Sequence, residues 1–278
     1  MDKLNCFKAY DIRGKVPNEL NTELAYKIGR AYSQLIDAKT MVIGHDIRKS
    51  SEEISEALTN GLTTSGVNVI DIGLCGTEMI YFATPAFNAD GGIMVTASHN
   101  PAEYNGIKFV KKDSVPVGYN SGLKDVERII LEDKLAPESN IKGSIEKREI
   151  MPDFINHLQK FYDPHKIKPF NVLVNSGNGC AGLVLDALEN KLPIKMIKLF
   201  NEPDPNFPNG IPNPLLTTNR QVTSDAVLSN KADLGVAWDG DYDRCFFFDE
   251  KGNFIEGYYI VGLLAKSILK NHPGEKIV

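Results

Sequence analysis

Two hydrophobic periods alternate along the chain. After Asn21 or Thr22, the apolar residues Leu24, Ile28, Ala31, Tyr32 and Leu35 recur at helical spacing, which predicts a helix with one buried face and a side-chain cap at its start. A short apolar run at 41–44 predicts a strand. Ser50 and Ser51, followed by Glu52 and Glu53, then mark the start of a second helix, with carboxylates against the positive end of its dipole. Gly66 ends that helix. Residues 67–72 predict a strand, 77–87 a short helix, and 92–96 a strand that runs straight into Ser98. Parallel strands need long crossovers, so this βαβα rhythm predicts a largely parallel sheet with helices on its faces.

From 113 to 150 the pattern turns polar and irregular, with a charged helix around 121–132 and a stretch at 137–147 that resembles a linker. The rhythm then restarts: strand 171–174, the turn Ser176-Gly177-Asn178-Gly179, helix 182–189, strand 194–199, a proline-rich loop at 203–214 and a helix at 221–229. Strand 234–238, an acidic loop and strand 245–248 follow, with a turn at Lys251-Gly252. Residues 258–269 predict an amphipathic or buried helix, and 275–278 the start of a strand. The expected fold class is α/β, with two successive mixed, largely parallel sheets flanked by helices. Expected domains are 1–148 and 149–254, with 255–278 the truncated start of a third.

Composition adds exclusions. The 278 residues are 42% hydrophobic and 24% charged, enough for about two globular domains. A net charge of -5 argues against a broad grip on nucleic acid or an anionic membrane. No apolar run is long enough for a signal peptide or a membrane span, so a cytoplasmic protein is expected. Cys6, Cys75, Cys180 and Cys245 form no CxxC pair and are expected to be buried free thiols.

The acidic loop Asp239-Gly240-Asp241-Tyr242-Asp243-Arg244 places three carboxylates at alternate positions directly after an apolar strand. A tight loop can converge such oxygens on one hard cation, and magnesium suits three carboxylates plus a phosphate oxygen. A solvated acidic turn is the plainer alternative, but three aspartates alternating directly after Val236-Ala237-Trp238 favour a functional loop. A calcium-binding helix–loop–helix would use Asp239, Asp241, Asp243 and Glu250 as its positions 1, 3, 5 and 12. That reading meets Arg244 where the sharp turn needs glycine, and strands where helices should flank. A haloacid-dehalogenase-type phosphatase would use Asp239 as nucleophile, but a third carboxylate fits a metal ligand better than a neighbour of a nucleophile. The other polar turn, Thr96-Ala97-Ser98-His99-Asn100-Pro101, precedes Tyr104-Asn105-Gly106-Ile107-Lys108 and brings a hydroxyl, an imidazole and an amine together. Alone, Ser98 could simply cap a turn.

These segments together resemble the alpha-D-phosphohexomutase superfamily. Residues 96–101 match its TASHNP signature, 104–108 its YNGxK continuation and 239–244 its DGDxDR metal loop. Residues 7–14 are similar to its FRAYDIRG opening, 44–51 to its GxDxRxSS segment and 175–179 to its NxGNG turn. The opening looks most like the bacterial phosphomannomutase and dual phosphomannomutase/phosphoglucomutase branches. The resemblance implies a four-domain enzyme whose first three domains share one α/β topology. It implies exchange of hexose 1- and 6-phosphates through a phosphoserine at Ser98, with glucose or mannose 1,6-bisphosphate as activator and hexose monophosphates as partners.

The resemblance also assigns roles. Ser98, Asp239, Asp241 and Asp243 would hold Mg²⁺; Lys108 would act as general acid/base, its pKa lowered by burial or neighbouring cations. His99 and Arg13 would complete the catalytic set, and Tyr10, Arg13 and Arg244 would bind substrate. Arg48 is expected to brace the active-site loops by pairing with a carboxylate, and the NxGNG turn to serve only as a bend. The family's GExSG-type sugar-reading loop and RxSGTEP-like phosphate clamp do not occur in these residues. The expectation is therefore a truncated, poorly active mutase, or a scaffold fragment that self-associates through the exposed helix at 258–269.

Overall fold

In the computed structural model, which describes residues 3–277, sequence periodicity becomes two separate sheets. The first domain runs β1 (Ile12–Lys15), α1 (Thr22–Ile36), β2 (Thr40–His45), α2 (Ser51–Thr64), β3 (Asn68–Leu74), α3 (Thr77–Ala86), β4 (Gly91–Val95), β5 (Tyr104–Lys111), α4 (Leu123–Leu131) and β6 (Ile145–Lys147). Its strand order is β1-β5-β4-β2-β3-β6. Strands β4, β2, β3 and β6 are parallel, while β5 runs antiparallel to both β4 and β1. Every residue of β4 is buried, as a central strand covered on both faces requires.

Helix α1 starts where its sequence says it should: the Asn21 side chain accepts from the Leu24 N–H at 2.9 Å. Its buried stripe, Ala25, Ile28, Ala31 and Tyr32, packs with Ile54, Leu58 and Leu62 of α2 and Val126 of α4 against one sheet face. Leu24 and Leu35 are only partly buried at the edge of that core. The opposite face carries α3 and the next helix, α5 (Met151–Leu158), and this second core reaches Val184 and Tyr242 of the second domain. One apolar core thus welds the two domains together.

The second domain continues with β7 (Asn171–Asn175), α6 (Ala181–Leu188), β8 (Lys195–Leu199), α7 (Gln221–Asn230), β9 (Leu234–Trp238), β10 (Cys245–Phe248) and β11 (Phe254–Ile255), in the order β11-β10-β9-β7-β8. Strands β9, β7 and β8 are parallel; β10 and β11 form the antiparallel hairpin expected from Lys251-Gly252, with Gly252 left-handed at φ +73°. Helix α6 covers one face through Leu185, and α7 the other through Val227. Helix α8 (Gly257–Ile268) follows with no buried residue. No helix among the described residues is long and apolar enough to cross a membrane.

The structure corrects several expectations. The stretch at 137–147 contains edge strand β6, whose three residues are all exposed; it is held by backbone pairing to β3, which leaves no apolar signal. Strands β1 and β5 were hidden inside the polar motifs. Ser50 occupies the N-cap position of α2 but makes no side-chain capping bond; the hydroxyls of Ser50 and Ser51 instead accept from the buried Asn105 amide at 2.9 and 3.0 Å. Residues 275–277 form no strand, and Val278 lies outside the described residues. Cys6, Cys75 and Cys180 are buried free thiols, but Cys245 is exposed, being the first residue of a strand beside the acidic loop.

Candidate active site

Strands β2 and β4 of the first sheet and β9 of the second end at one place. Carboxyl ends of parallel strands are where open α/β sheets build sites, because the chain must loop there before entering the next helix. Asp46 follows β2, Thr96 and Ser98 follow β4, and Asp239 follows β9. The serine loop and the acidic loop therefore meet across the domain interface. Ser98 Oγ donates to Asp239 Oδ2 at 2.6 Å and lies 3.0 Å from His99 Nδ1. Arg244 Nη1 donates to that same Nδ1 at 3.1 Å; since guanidinium cannot accept, Nδ1 is the acceptor. Ser98 is fully buried and left-handed, with φ +52°.

The three aspartates converge. Asp239, Asp241 and Asp243 each offer a carboxylate oxygen within 4.8 Å of the others. Oδ1 of Asp241 and Oδ1 of Asp243 are buried with no hydrogen-bond partner, an expensive state for carboxylate oxygens. Hard oxygen donors left over in this way fit a small divalent cation. Burial, with Asp241 and Asp243 beside it, raises the pKa of Asp239 in spite of its contacts with His99 and Ser98.

Lys108 departs from expectation. It comes from β5, and its Nζ donates to Asp241 Oδ2 at 2.5 Å, to Asp243 Oδ2 at 2.7 Å and to Thr77 Oγ1 at 3.2 Å. Burial acts to lower its pKa, but the two carboxylates outweigh burial and raise it above the usual lysine value. Lys108 here compensates the acidic cluster instead of being poised near neutrality. Arg13 pairs with Asp11 and donates to Asn100 Oδ1 at 2.6 Å. Tyr10 stands at the rim, 87% exposed. Tyr10, Arg13, Lys108, Asp243 and Arg244 all line one cleft of about 550 Å³. A larger hollow of about 750 Å³ between α3, α5 and α6 is lined by Phe82, Phe154, Leu185 and Trp238 and contains none of these groups except through the Tyr81 wall they share.

Close packing fixes how the loops meet. A Cβ on Gly240 would lie 2.5 Å from the Ser98 carbonyl oxygen, so glycine lets the acidic loop reach the serine backbone. The NxGNG turn supports it from behind: Cys180 N–H donates to Gly240 O at 3.0 Å, and a Cβ on Gly179 would lie 2.7 Å from that oxygen. That turn is a bend, as expected, but one that shapes the acidic loop.

Arg48 does brace the loops through one carboxylate, and it also binds carbonyls. It lies 3.3 Å from Asp46 and donates to four carbonyls of the serine loop: Ser98 and Asn100 through Nη2, Pro101 and Tyr104 through Nη1. Thr77 was missed entirely; its hydroxyl donates to Asp241 Oδ2 at 2.6 Å and its N–H to Asp241 O at 3.2 Å. No local pattern marks it, because its partner is 164 residues away.

Family models then locate these loops. Residues 4–136 match phosphoglucomutase/phosphomannomutase alpha/beta/alpha domain I, and 152–252 match domain II of the same family. The chain belongs to the phosphoglucomutase/phosphomannomutase family. It is 50% identical over 288 residues to a phosphomannomutase of Vibrio cholerae serotype O1, and 50% identical over 284 residues to one of Escherichia coli K12. Both alignments cover 100% of this chain and 62% of the relative, so the chain spans under two thirds of their length. A phosphoglucomutase/phosphomannomutase family protein from Burkholderia thailandensis superposes with TM-score 0.90 at 30% identity, over 99% of this chain and 61% of that one. At 14% identity and TM-score 0.50, the fold is shared with an N-acetylphosphoglucosamine mutase variant of Aspergillus fumigatus, solved with glucose 1,6-bisphosphate, over 96% of this chain and 55% of that one. In family terms, the serine loop is supplied by domain I and the acidic loop by domain II.

Proposed function

We propose that this chain carries the phosphoryl-transfer half of a phosphohexomutase that interconverts hexose 1-phosphate and hexose 6-phosphate, with mannose the favoured hexose. The observation that carries the reading is the Ser98 hydroxyl, buried and hydrogen-bonded to Asp239 within a cluster of three aspartates. Residues 1–148 and 149–254 serve as the two working units, and 255–278 begin a third.

Ser98 Oγ holds the phosphoryl group, gives it to a sugar hydroxyl, and receives the other phosphate of the resulting bisphosphate. Asp239, Asp241, Asp243 and Ser98 would hold Mg²⁺, which supplies neutralisation of the phosphoryl oxygens, the main requirement of this chemistry. Lys108 acts on the reacting hydroxyl. With a cation on Asp241 and Asp243, their attraction for the Lys108 proton would be offset, leaving burial, which acts to lower its pKa. Arg13, Arg244 and Tyr10 line the cleft where a phosphosugar would sit, and His99, held at Nδ1 by Arg244, stands beside Ser98 Oγ.

Incubation with glucose 1,6-bisphosphate and Mg²⁺, followed by intact mass and peptide mapping, is expected to place one phosphate on Ser98; label on Asp239 would instead favour a dehalogenase-type phosphatase. These 278 residues alone are expected to turn over mannose 1-phosphate poorly, since binding at the non-reacting end of a substrate normally contributes to the rate. A second proposal rests on α8, whose Tyr258, Tyr259, Leu263 and Leu264 are all exposed: the chain self-associates through that helix. Sedimentation at high concentration should show a dimer, and a clean monomer removes the proposal.

A further inference from the structure

Both peptide groups flanking the Ser98 Cα are tied to one buried ion pair. On the amino side, Ser98 N–H donates to Thr96 Oγ1 at 2.8 Å, and that hydroxyl donates to Asp46 Oδ2 at 2.7 Å. On the carboxyl side, Ser98 C=O accepts from Arg48 Nη2 at 2.9 Å, and Arg48 Nε lies 3.3 Å from the same Asp46 oxygen. The other Asp46 oxygen is held by Arg48 N–H at 3.0 Å and Ser51 Oγ at 2.5 Å. Asp46, Arg48 and Thr96 are all at most 3% exposed. Orientation of a residue's N–H follows φ, and orientation of its C=O follows ψ. A pair that holds both therefore dictates the conformation between them.

That conformation is one serine does not choose. At φ +52°, Ser98 sits in the left-handed region, where a side chain crowds its own backbone. Left free, the loop would relax toward extended backbone and swing Oγ away from Asp239. We propose that Asp46, Arg48 and Thr96 are positioning residues that hold Ser98 left-handed, and so aim its hydroxyl at the reacting phosphoryl group. The inference rests on the phosphoserine reading given above. Arginine is required because a planar fork can serve carbonyls of residues 98, 100, 101 and 104 at once, which a lysine ammonium cannot. Threonine 96 is required for its hydroxyl, which must accept from Ser98 and donate to Asp46 together.

The test compares the wild-type chain with Thr96→Val, Thr96→Ser and Arg48→Lys by two readouts. One is amide hydrogen exchange at Ser98 by NMR. The other is the rate of phosphate incorporation on Ser98 from glucose 1,6-bisphosphate with Mg²⁺. Thr96→Val is expected to speed exchange about tenfold, the factor one net hydrogen bond supplies, and to slow incorporation by about 10- to 100-fold through misplacement of the nucleophile. Thr96→Ser should restore both, which a loss of packing alone would not allow. Arg48→Lys should slow incorporation likewise. Unchanged exchange, or wild-type labelling in Thr96→Val, overturns the proposal. If Thr96→Val does not fold, Asp46→Asn carries the same comparison, because it keeps the size of the side chain. Absence of label even in the wild type overturns the phosphoserine reading, while exchange at Ser98 still decides whether the clamp exists.

Discussion

Replacing Ser98 by alanine or by glycine is expected to abolish phosphate incorporation from glucose 1,6-bisphosphate, and the glycine variant should be the more stable of the two. Loss of label follows from loss of the nucleophile: among the described residues, the hydroxyl that bonds Asp239 is that of Ser98. The stability difference follows from the backbone. Any residue with a Cβ at φ +52° bears a left-handed cost of about 1–2 kcal/mol, which glycine does not. Alanine keeps that cost and also removes the hydroxyl that donates to Asp239. Glycine loses the same hydroxyl but relieves the strain, so urea denaturation should separate the pair by about 1 kcal/mol. The natural residue at this position thus gives up stability for a hydroxyl in a fixed direction, a pattern found where strain is stored at functional sites. If the alanine variant still took up phosphate, the carrier would be another group, Asp239 first, and the mutase reading would fail.

Some of this architecture was legible because it has a local cause. The cap at Asn21, the βαβα rhythm and the alternating aspartates each arise from neighbours in sequence, and periodicity reports neighbours. Strand β5 was not legible for a related reason. Its Asn105 and Lys108 face polar partners, Ser50 and Ser51 for one and Asp241 and Asp243 for the other, so the strand does not alternate apolar with polar. Strand β6 pairs with β3 through its main chain while its three side chains are exposed. The clamp on Ser98 joins groups about fifty residues apart, so a motif at 44–51 can be noticed without its purpose being visible. The charge state of Lys108 inverted the expectation because burial and carboxylate attraction oppose each other there. Sequence names both influences, and only distances of 2.5 and 2.7 Å decide between them.

Those distances also set the largest stability effect. Lys108→Met is expected to destabilise the metal-free chain by about 3 kcal/mol or more at neutral pH, since it strands buried carboxylates without their counter-charge. Lys108 is 15% exposed and Asp241 fully buried, so solvent screens this pair little. The effect must depend on pH in a definite direction. Burial would raise Asp241, but the charge of Lys108 and the hydrogen bonds from Lys108 and Thr77 outweigh it, and its pKa falls below the ordinary 3.8. A carboxyl lowered by folding contributes stability above its unfolded pKa and loses it as pH falls through the folded value. In Lys108→Met burial prevails, the folded-state pKa rises, and the sign reverses: stability is highest in acid and declines as pH climbs from about 4. The gap between wild type and variant should therefore be narrow near pH 4 and widen toward pH 7 in chelator. Mg²⁺ should then narrow the gap at pH 7, because without Lys108 competing for the carboxylates the folded variant binds the cation more tightly than wild type and gains more by mass action. A gap of equal size at both pH values, or one that Mg²⁺ leaves untouched, would show that Lys108 is held for packing and that the aspartates are not a cation site.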